Sequence, residues 1–173
     1  KSLAAGPSRS WGIHAFPAYT SGAFPAQGLS ILDFGIKFEG YSSDVTMTFA
    51  SGQLTTAQEK QITLVEKAYK AALEMYKPGN FTRDASLKVD EIFRKAKKTM
   101  PHGLGHGIGL EPHEGPAVRN REDNGWVFEP GMAVTLEPGL YDPKHGGCRL
   151  ENSILITEQG NRPLTRSRIV RLG

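Results

Sequence analysis

The chain has 173 residues, of which 38% are hydrophobic, and a formal net charge of +3, so it can build the core of one globular domain. Lys and Arg are scattered apart from the run at 94–98, which we interpret as a solvated helix end, and nucleic-acid binding is therefore disfavoured. No apolar stretch is long enough to span a bilayer, and Cys148 is the only cysteine, so we expect a cytoplasmic protein with no membrane partner and no internal disulfide.

Two strands are predicted before residue 50. Residues 1–28 are rich in Gly, Pro, Ser and Ala, whereas 30–38 and 41–49 alternate apolar and polar side chains with the period of a strand. A hairpin that turns at 38–39 would set Asp33 directly opposite Asp44. Facing carboxylates repel each other, so either one carboxyl keeps a proton or a divalent cation neutralises the pair. A slip of one residue would put the two acids on opposite faces.

Two amphipathic helices and two further strands are predicted downstream. Thr56 to Glu59 reads as a capping box, followed by apolar residues at helical spacing until Pro78-Gly79. A second helix is predicted from Asp84 to about Lys98, and strands are predicted over 132–137 and 149–157. Two helices between groups of strands predict the α+β class.

The stretch HGLGHGIGLEPHEG, residues 102–115, contains three histidines. His102 and His106 are four residues apart, but the glycines around them disfavour a helix, so the segment is expected to be extended or turning. Glycine at such positions lets a second backbone or a ligand come close to the chain. A functional role for the histidines is therefore favoured over packing in the core.

Two further acids lie on or beside predicted strands. Glu137 precedes Pro138-Gly139, and Glu151 follows Arg149 at a spacing of two. Taken alone, Glu151 would be an ion-pair partner of Arg149. Four carboxylates and a histidine beside strands and glycines favour a dinuclear metal site with oxygen and nitrogen ligands.

These motifs resemble one known family. They are LDFG (32–35), SDVT (43–46), HGLGHGIGLEPHEGP (102–116), TLEPGLY (135–141) and CRLEN (148–152). The set is similar to the metallopeptidase family of methionine aminopeptidase, aminopeptidase P and prolidase, in family order over roughly residues 12–166. The resemblance implies the pita-bread fold, in which two pseudo-symmetric halves of curved antiparallel sheet with helices packed outside enclose a dinuclear metal site.

The resemblance also implies roles for the motif residues. Asp33 would bind one metal, Asp44 and Glu151 would bridge both, and His106 and Glu137 would complete the second. The other matching positions would serve substrate and catalysis: His102 and His113 would contact substrate and stabilise the tetrahedral intermediate, and Arg149 would lie beside the bridging Glu151 on the substrate side.

The implied activity is that of a metallo-exopeptidase acting on short peptides. A water shared by two divalent ions would supply hydroxide near neutral pH, and Glu137 would carry the proton to the leaving amine. His102 or His113 would donate to the developing oxyanion. Mn(II) is favoured, with Co(II), Fe(II) or Zn(II) as alternatives.

The HEGP motif (113–116) resembles the proline-specific members of the family more closely, which are of Xaa-Pro aminopeptidase or Xaa-Pro dipeptidase type. Methionine aminopeptidase, a creatinase-like hydrolase and a non-catalytic peptide- or protein-binding relative stay open as alternatives.

Two departures from the family pattern are visible. The loop 21–28 lacks the substrate-facing histidine that family members carry ahead of the first ligand, and His14 is the only histidine upstream of Asp33. The helical segment that usually precedes this region is also missing. We therefore expect residues 1–173 to form a single catalytic domain with a truncated first half, as in a C-terminal fragment of a longer protein. A homodimer through the uncovered surface is a further expectation.

Overall fold

A computed structural model describes residues 2–173 of the protein, and within this range two helices and thirteen strands are formed. The helices are α1 (Thr56–Leu73) and α2 (Thr82–Lys95). The strands are β1 (Leu3–Ala5), β2 (Gly28–Phe34), β3 (Lys37–Phe38), β4 (Tyr41–Ser42), β5 (Val45–Ser51), β6 (Gly105–Gly107), β7 (Glu114–Val118), β8 (Ala133–Leu136), β9 (Gly139–Asp142), β10 (Gly146–Arg149), β11 (Asn152–Thr157), β12 (Gly160–Pro163) and β13 (Ile169–Leu172).

Most of these strands form two mixed or antiparallel sheets. The first has the order β1-β2-β5-β13 and is antiparallel except for the β5–β13 pair. The second has the order β12-β11-β8-β6-β7, and β3–β4 and β9–β10 are separate hairpins. A backbone bridge between Thr46 and Glu151 joins β5 to the start of β11. The two sheets therefore meet at a point flanked by residues of the predicted site.

The helices hold the second sheet and the β9–β10 hairpin in place. Helix α1 packs on β8, β9, β10 and α2, and α2 packs on β7. The buried Gln61 amide donates to the carbonyl oxygens of Leu140 at 2.6 Å and Gly146 at 3.0 Å. The ring of Tyr76 is fully buried, and its hydroxyl donates to the Thr135 carbonyl at 2.9 Å. Since a buried polar group must be hydrogen-bonded, these side chains fix α1 against the strands that carry the site. Within the described residues, neither helix has the length and apolar content that a membrane crossing requires.

The predicted boundaries are correct to within a few residues, with three corrections. The capping box uses Thr55 and Gln58, not Thr56 and Glu59, because the Thr55 hydroxyl accepts from the Gln58 amide while the Gln58 side chain accepts from the Thr55 amide. Helix α2 begins at Thr82 and ends at Lys95, because Lys97 adopts a φ of 56° that a helix cannot continue. Three predicted strands are divided: 30–38 into β2 and β3, 41–49 into β4 and β5, and 149–157 at residues 150–151, where the chain passes from β10 to β11.

Candidate metal centre

Two glycines of the run at 102–109 allow backbones to approach more closely than any side chain would permit. A Cβ atom on Gly105 would lie 2.0 Å from the Thr135 carbonyl oxygen, and one on Gly107 would lie 1.9 Å from that of Gly115. Both glycines belong to β6, which lies between β7 and β8. His106 stands between them, and its backbone amide donates to the Thr135 hydroxyl at 3.0 Å. The glycines therefore serve close strand packing, and this packing fixes the position of His106.

Asp33 and Asp44 lie on the same face of the first sheet, although the predicted register is wrong. The turn is at 39–40, where both residues have positive φ, and Asp33 consequently pairs with Thr46 instead of Asp44. The predicted and observed registers differ by two residues, and a shift of two residues leaves each side chain on the same face of the sheet. Oxygen atoms of Asp33 and Asp44 accordingly lie within 4.8 Å of each other.

The remaining acids come from the second sheet and its connections. Glu137 follows β8, and its amide donates to the Leu104 carbonyl at 2.9 Å. Glu151 precedes β11, and its amide donates to the Thr46 carbonyl at 3.2 Å. The Thr46 hydroxyl also donates to Glu151 Oε2 at 2.6 Å. Backbone pairing between the two sheets thus brings Glu151 to the Asp33–Asp44 face.

Within residues 2–173, side chains able to bind a metal ion form three overlapping groups, in each of which the ligand atoms lie within 4.8 Å of one another. The groups are Asp33–Asp44–Glu151, His106–Glu137–Glu151 and Asp44–His106–His113. The first two share Glu151, and the first and third share Asp44. All five predicted ligand positions therefore converge, and His113 joins them, with its ring centroid 4.2 Å from that of His106.

Burial and mutual repulsion disfavour the charged forms of three of these acids. Burial, reinforced by the charge of Asp33, raises the pKa of Asp44 to about 6. Burial, with the charges of Asp44 and Asp33, raises the pKa of Glu137 to about 8. Burial and the charges of Glu137 and Asp44 raise the pKa of Glu151 well above its usual value. Such a cluster is stabilised when a cation enters, because the cation removes the repulsion and replaces the lost solvation.

His106 presents an unprotonated nitrogen to the carboxylates. His106 Nδ1 lies 2.9 Å from the Gly107 carbonyl oxygen, which can only accept, so Nδ1 carries the proton. The Nε2 lone pair is then directed towards Glu137 Oε1 at 3.6 Å and Asp44 Oδ2 at 3.9 Å. Lone pairs of nitrogen and oxygen that converge in this way need a proton or a metal ion between them. The donor set therefore fits divalent metal ions.

Arg149 lies behind the carboxylates and makes contacts on three sides. Its guanidinium donates to Asp33 Oδ2, to the Thr46 hydroxyl at 3.0 Å and to the Tyr141 hydroxyl at 3.1 Å. Its side chain is 2% exposed, so the guanidinium is enclosed by these partners. The Thr46 hydroxyl, which accepts from Arg149, also donates to Glu151 and so joins the two side chains.

The other predicted site residues lie at the edge of the cluster. His102 is half-buried, and its pKa is lowered to about 4 by burial, with the positive charges of Arg149 and His14 acting in the same direction. His113 is exposed.

Sequence reasoning did not single out Thr46 or Tyr141 as site residues, and it named His14 only as the histidine upstream of Asp33. Thr46 could have been found, because it shares a strand face with Asp44 at a spacing of two. Tyr141 becomes a neighbour of His102 and Arg149 only through the β9–β10 hairpin, and a single sequence has no signal for that pairing.

Comparisons with known proteins agree with this arrangement. The sequence matches Metallopeptidase family M24 over residues 2–158. It is 41% identical over 141 residues to an uncharacterized peptidase of Bacillus subtilis, covering 80% of this chain and 39% of that protein. It is 37% identical over 141 residues to the Xaa-Pro dipeptidase of Pyrococcus furiosus, covering 80% of this chain and 40% of that protein. The chain thus spans about 40% of the length of these relatives.

A solved structure shows the same architecture. The prolidase from Pyrococcus horikoshii superposes with a TM-score of 0.90 at 33% sequence identity, covering 97% of this chain and 48% of that chain. The pita-bread fold predicted from the motifs is therefore confirmed for the part that this chain spans.

Proposed function

The chain belongs to metallopeptidase family M24, and we propose that its site hydrolyses the bond between an N-terminal residue and a following proline, as an Xaa-Pro dipeptidase or Xaa-Pro aminopeptidase does. The observation that carries this proposal is the convergence of Asp33, Asp44, His106, Glu137 and Glu151 in overlapping groups. The proline preference is supported by the relative named as an Xaa-Pro dipeptidase.

Two divalent metal ions would be held by these five side chains. We assign Asp33 to one ion, His106 and Glu137 to the other, and Asp44 and Glu151 to both, because Asp44 and Glu151 are each grouped with Asp33 and also with His106, whereas Asp33 and His106 never share a group. An oxygen-rich donor set favours Mn(II), with Co(II), Fe(II) or Zn(II) as alternatives. When bound, the ions would neutralise the carboxylates, activate water and polarise the substrate carbonyl.

The chain's own residues would hold and move the protons. Glu137 would take a proton from the attacking water and pass it to the leaving amine, because its carboxylate lies among the ligand atoms of the cluster. The exposed His113, close to His106, is placed to donate to the oxygen on which negative charge develops. Arg149 would orient Asp33 and not contact substrate, because its guanidinium is buried among Asp33, Thr46 and Tyr141.

The compartment can be proposed from Cys148. Its thiol is fully buried, and burial raises its pKa to about 12, so the residue is a packing group without a disulfide partner. A lone reduced thiol of this kind is typical of cytoplasmic proteins.

The test is peptide hydrolysis. Metal-stripped protein is refilled with Mn(II) and given a short peptide with proline in second place, or a matched peptide that begins Met-Ala. We expect cleavage before proline, and we expect this cleavage to vanish in a His106→Ala control.

Two other results would overturn the proposal. Cleavage of the Met-Ala peptide alone would assign the site to methionine aminopeptidase chemistry. Bound metal with no cleavage of either peptide would indicate a non-catalytic relative that binds a peptide or protein.

A further inference from the structure

The two histidines of the HGLGH segment use one nitrogen in the same way. His102 Nδ1 lies 2.7 Å from the Gly103 carbonyl oxygen, and His106 Nδ1 lies 2.9 Å from that of Gly107. A carbonyl oxygen can only accept, so each ring donates from Nδ1 to the glycine that follows it. What distinguishes the two residues is therefore the group that each Nε2 atom meets.

The two Nε2 atoms meet opposite kinds of partner. His106 Nε2 faces carboxylate oxygens of Asp44 and Glu137, which have no proton to offer when they are ionised. His102 Nε2 lies 2.8 Å from the hydroxyl oxygen of Tyr141. A hydroxyl can donate its single proton while its oxygen accepts from another group.

Arg149 decides the direction of the Tyr141 hydrogen bonds. Its Nη1 atom lies 3.1 Å from the Tyr141 oxygen, and a guanidinium can only donate. The Tyr141 oxygen therefore accepts from Arg149, and its proton is left for His102 Nε2. Arg149 is itself held by Asp33 and Thr46, so the whole chain of hydrogen bonds has one direction, from the guanidinium through the phenol to the imidazole.

We propose that Tyr141 is a positioning residue that locks His102 in the tautomer with the proton on Nδ1 and thereby withholds both ring nitrogens of His102 from proton transfer. Of the two histidines predicted to donate to the oxyanion, only His113 keeps that role. The consequence for catalysis rests on the proposed function, whereas the tautomer does not.

The tautomer is read directly by nitrogen NMR of ring-labelled protein, metal-free or loaded with diamagnetic Zn(II). We expect a protonated Nδ1 and an unprotonated Nε2 for His102, assigned by the signal that is lost in His102→Gln. A protonated Nε2 in the wild-type protein overturns the proposal. In Tyr141→Phe the His102 signals should shift towards a mixture of tautomers while those of His106 stay unchanged, and unchanged His102 signals would also refute the lock.

Kinetics separate positioning from proton transfer. A glutamine at position 102 can still accept from Tyr141 but cannot relay a proton. We expect His102→Gln to stay within about tenfold of the wild-type kcat, as for a change in one hydrogen bond, and His102→Ala to lose more, with both variants keeping their bound metal. A loss of about 100-fold or more in both variants, the size of a general acid–base contribution, contradicts the proposal. If the wild-type protein cleaves no peptide, the proposed function fails while the NMR result still decides the tautomer.

Discussion

Metal-free protein should lose stability as the pH rises from about 6.5 to about 8. An acid whose pKa is raised in the folded state binds its proton more tightly there than in the unfolded chain, so stability falls as the pH rises towards the folded value. Burial raises the pKa of Glu137 to about 8 and raises that of Glu151 well above its usual value. Glu137 therefore titrates across this range, and the shift of Glu151 has the same sign.

The lower limit of the window is set by the histidines. The pKa of His102 is lowered from 6.5 to about 4, and that of His106 is also lowered, in both cases chiefly by burial. Histidines of this kind raise stability as the pH rises to about 6.5, because the unfolded chain binds more protons below that pH. They offset the acids, including Asp44, at lower pH, and their effect declines above pH 6.5 as the unfolded chain loses its last histidine protons.

The effect is large enough to measure. For Glu137 alone, the change between pH 6.5 and pH 8 is about 2 kcal/mol, and Glu151 adds to it in the same direction. For a domain of this size, about 2 kcal/mol corresponds to a fall in Tm of roughly 4 to 8 °C. In the Mn(II)-loaded protein the acids would be ionised ligands at both pH values, so its Tm should stay level or rise.

The assay is thermal unfolding of metal-free and Mn(II)-loaded protein at several pH values. Glu137→Gln is the matched control, because it removes one titrating group and should reduce the fall in the metal-free form. A metal-free Tm that is constant or rises between pH 6.5 and pH 8 would refute the reasoning.

Three further predictions concern single residues. Asp44→Ala should abolish the binding of both ions and all activity, because Asp44 occurs in two of the three ligand groups; stoichiometric metal in this variant, measured by elemental analysis, would contradict the ligand assignment. His113→Ala should lower kcat on the order of 100-fold, as for the loss of one oxyanion donor, while the metal content stays intact; loss of metal would instead make His113 a ligand. Gly107→Ala should lower the free energy of unfolding in urea by about 2 kcal/mol, because the added Cβ would lie 1.9 Å from the Gly115 carbonyl oxygen. Gly125→Ala is the control and should have little effect, because no atom lies within 4 Å of the added Cβ.

The sequence predicted the elements with strong local signals. Helix α1 has a capping box and regular apolar spacing, and only the identity of the cap was displaced by one residue. The short strands β1, β6 and β13 were missed as strands, because three or four residues carry too little periodicity. The parallel pairing of β13 with β5 joins residues more than 100 positions apart, and no local pattern encodes such a contact.

The candidate ligands could be identified from the sequence, but the contacts among them could not. Asp33 and Asp44 were correctly placed on one face because strand periodicity survives a two-residue error in register. The grouping of Glu151 with Asp33 depends on the Thr46–Glu151 bridge between two sheets. The burial that raises the pKa of Glu137 and the enclosure of Arg149 arise only when both sheets and the β9–β10 hairpin are assembled.

The central claim is that five side chains of this chain hold two metal ions, and the most direct test is to count them. Protein is stripped of metal, dialysed to equilibrium against Mn(II), and analysed for metal content per chain, with Asp44→Ala treated in parallel. We expect two ions per wild-type chain and none in the variant. One ion or none in the wild-type protein at saturating Mn(II), or equal metal in both proteins, would contradict it.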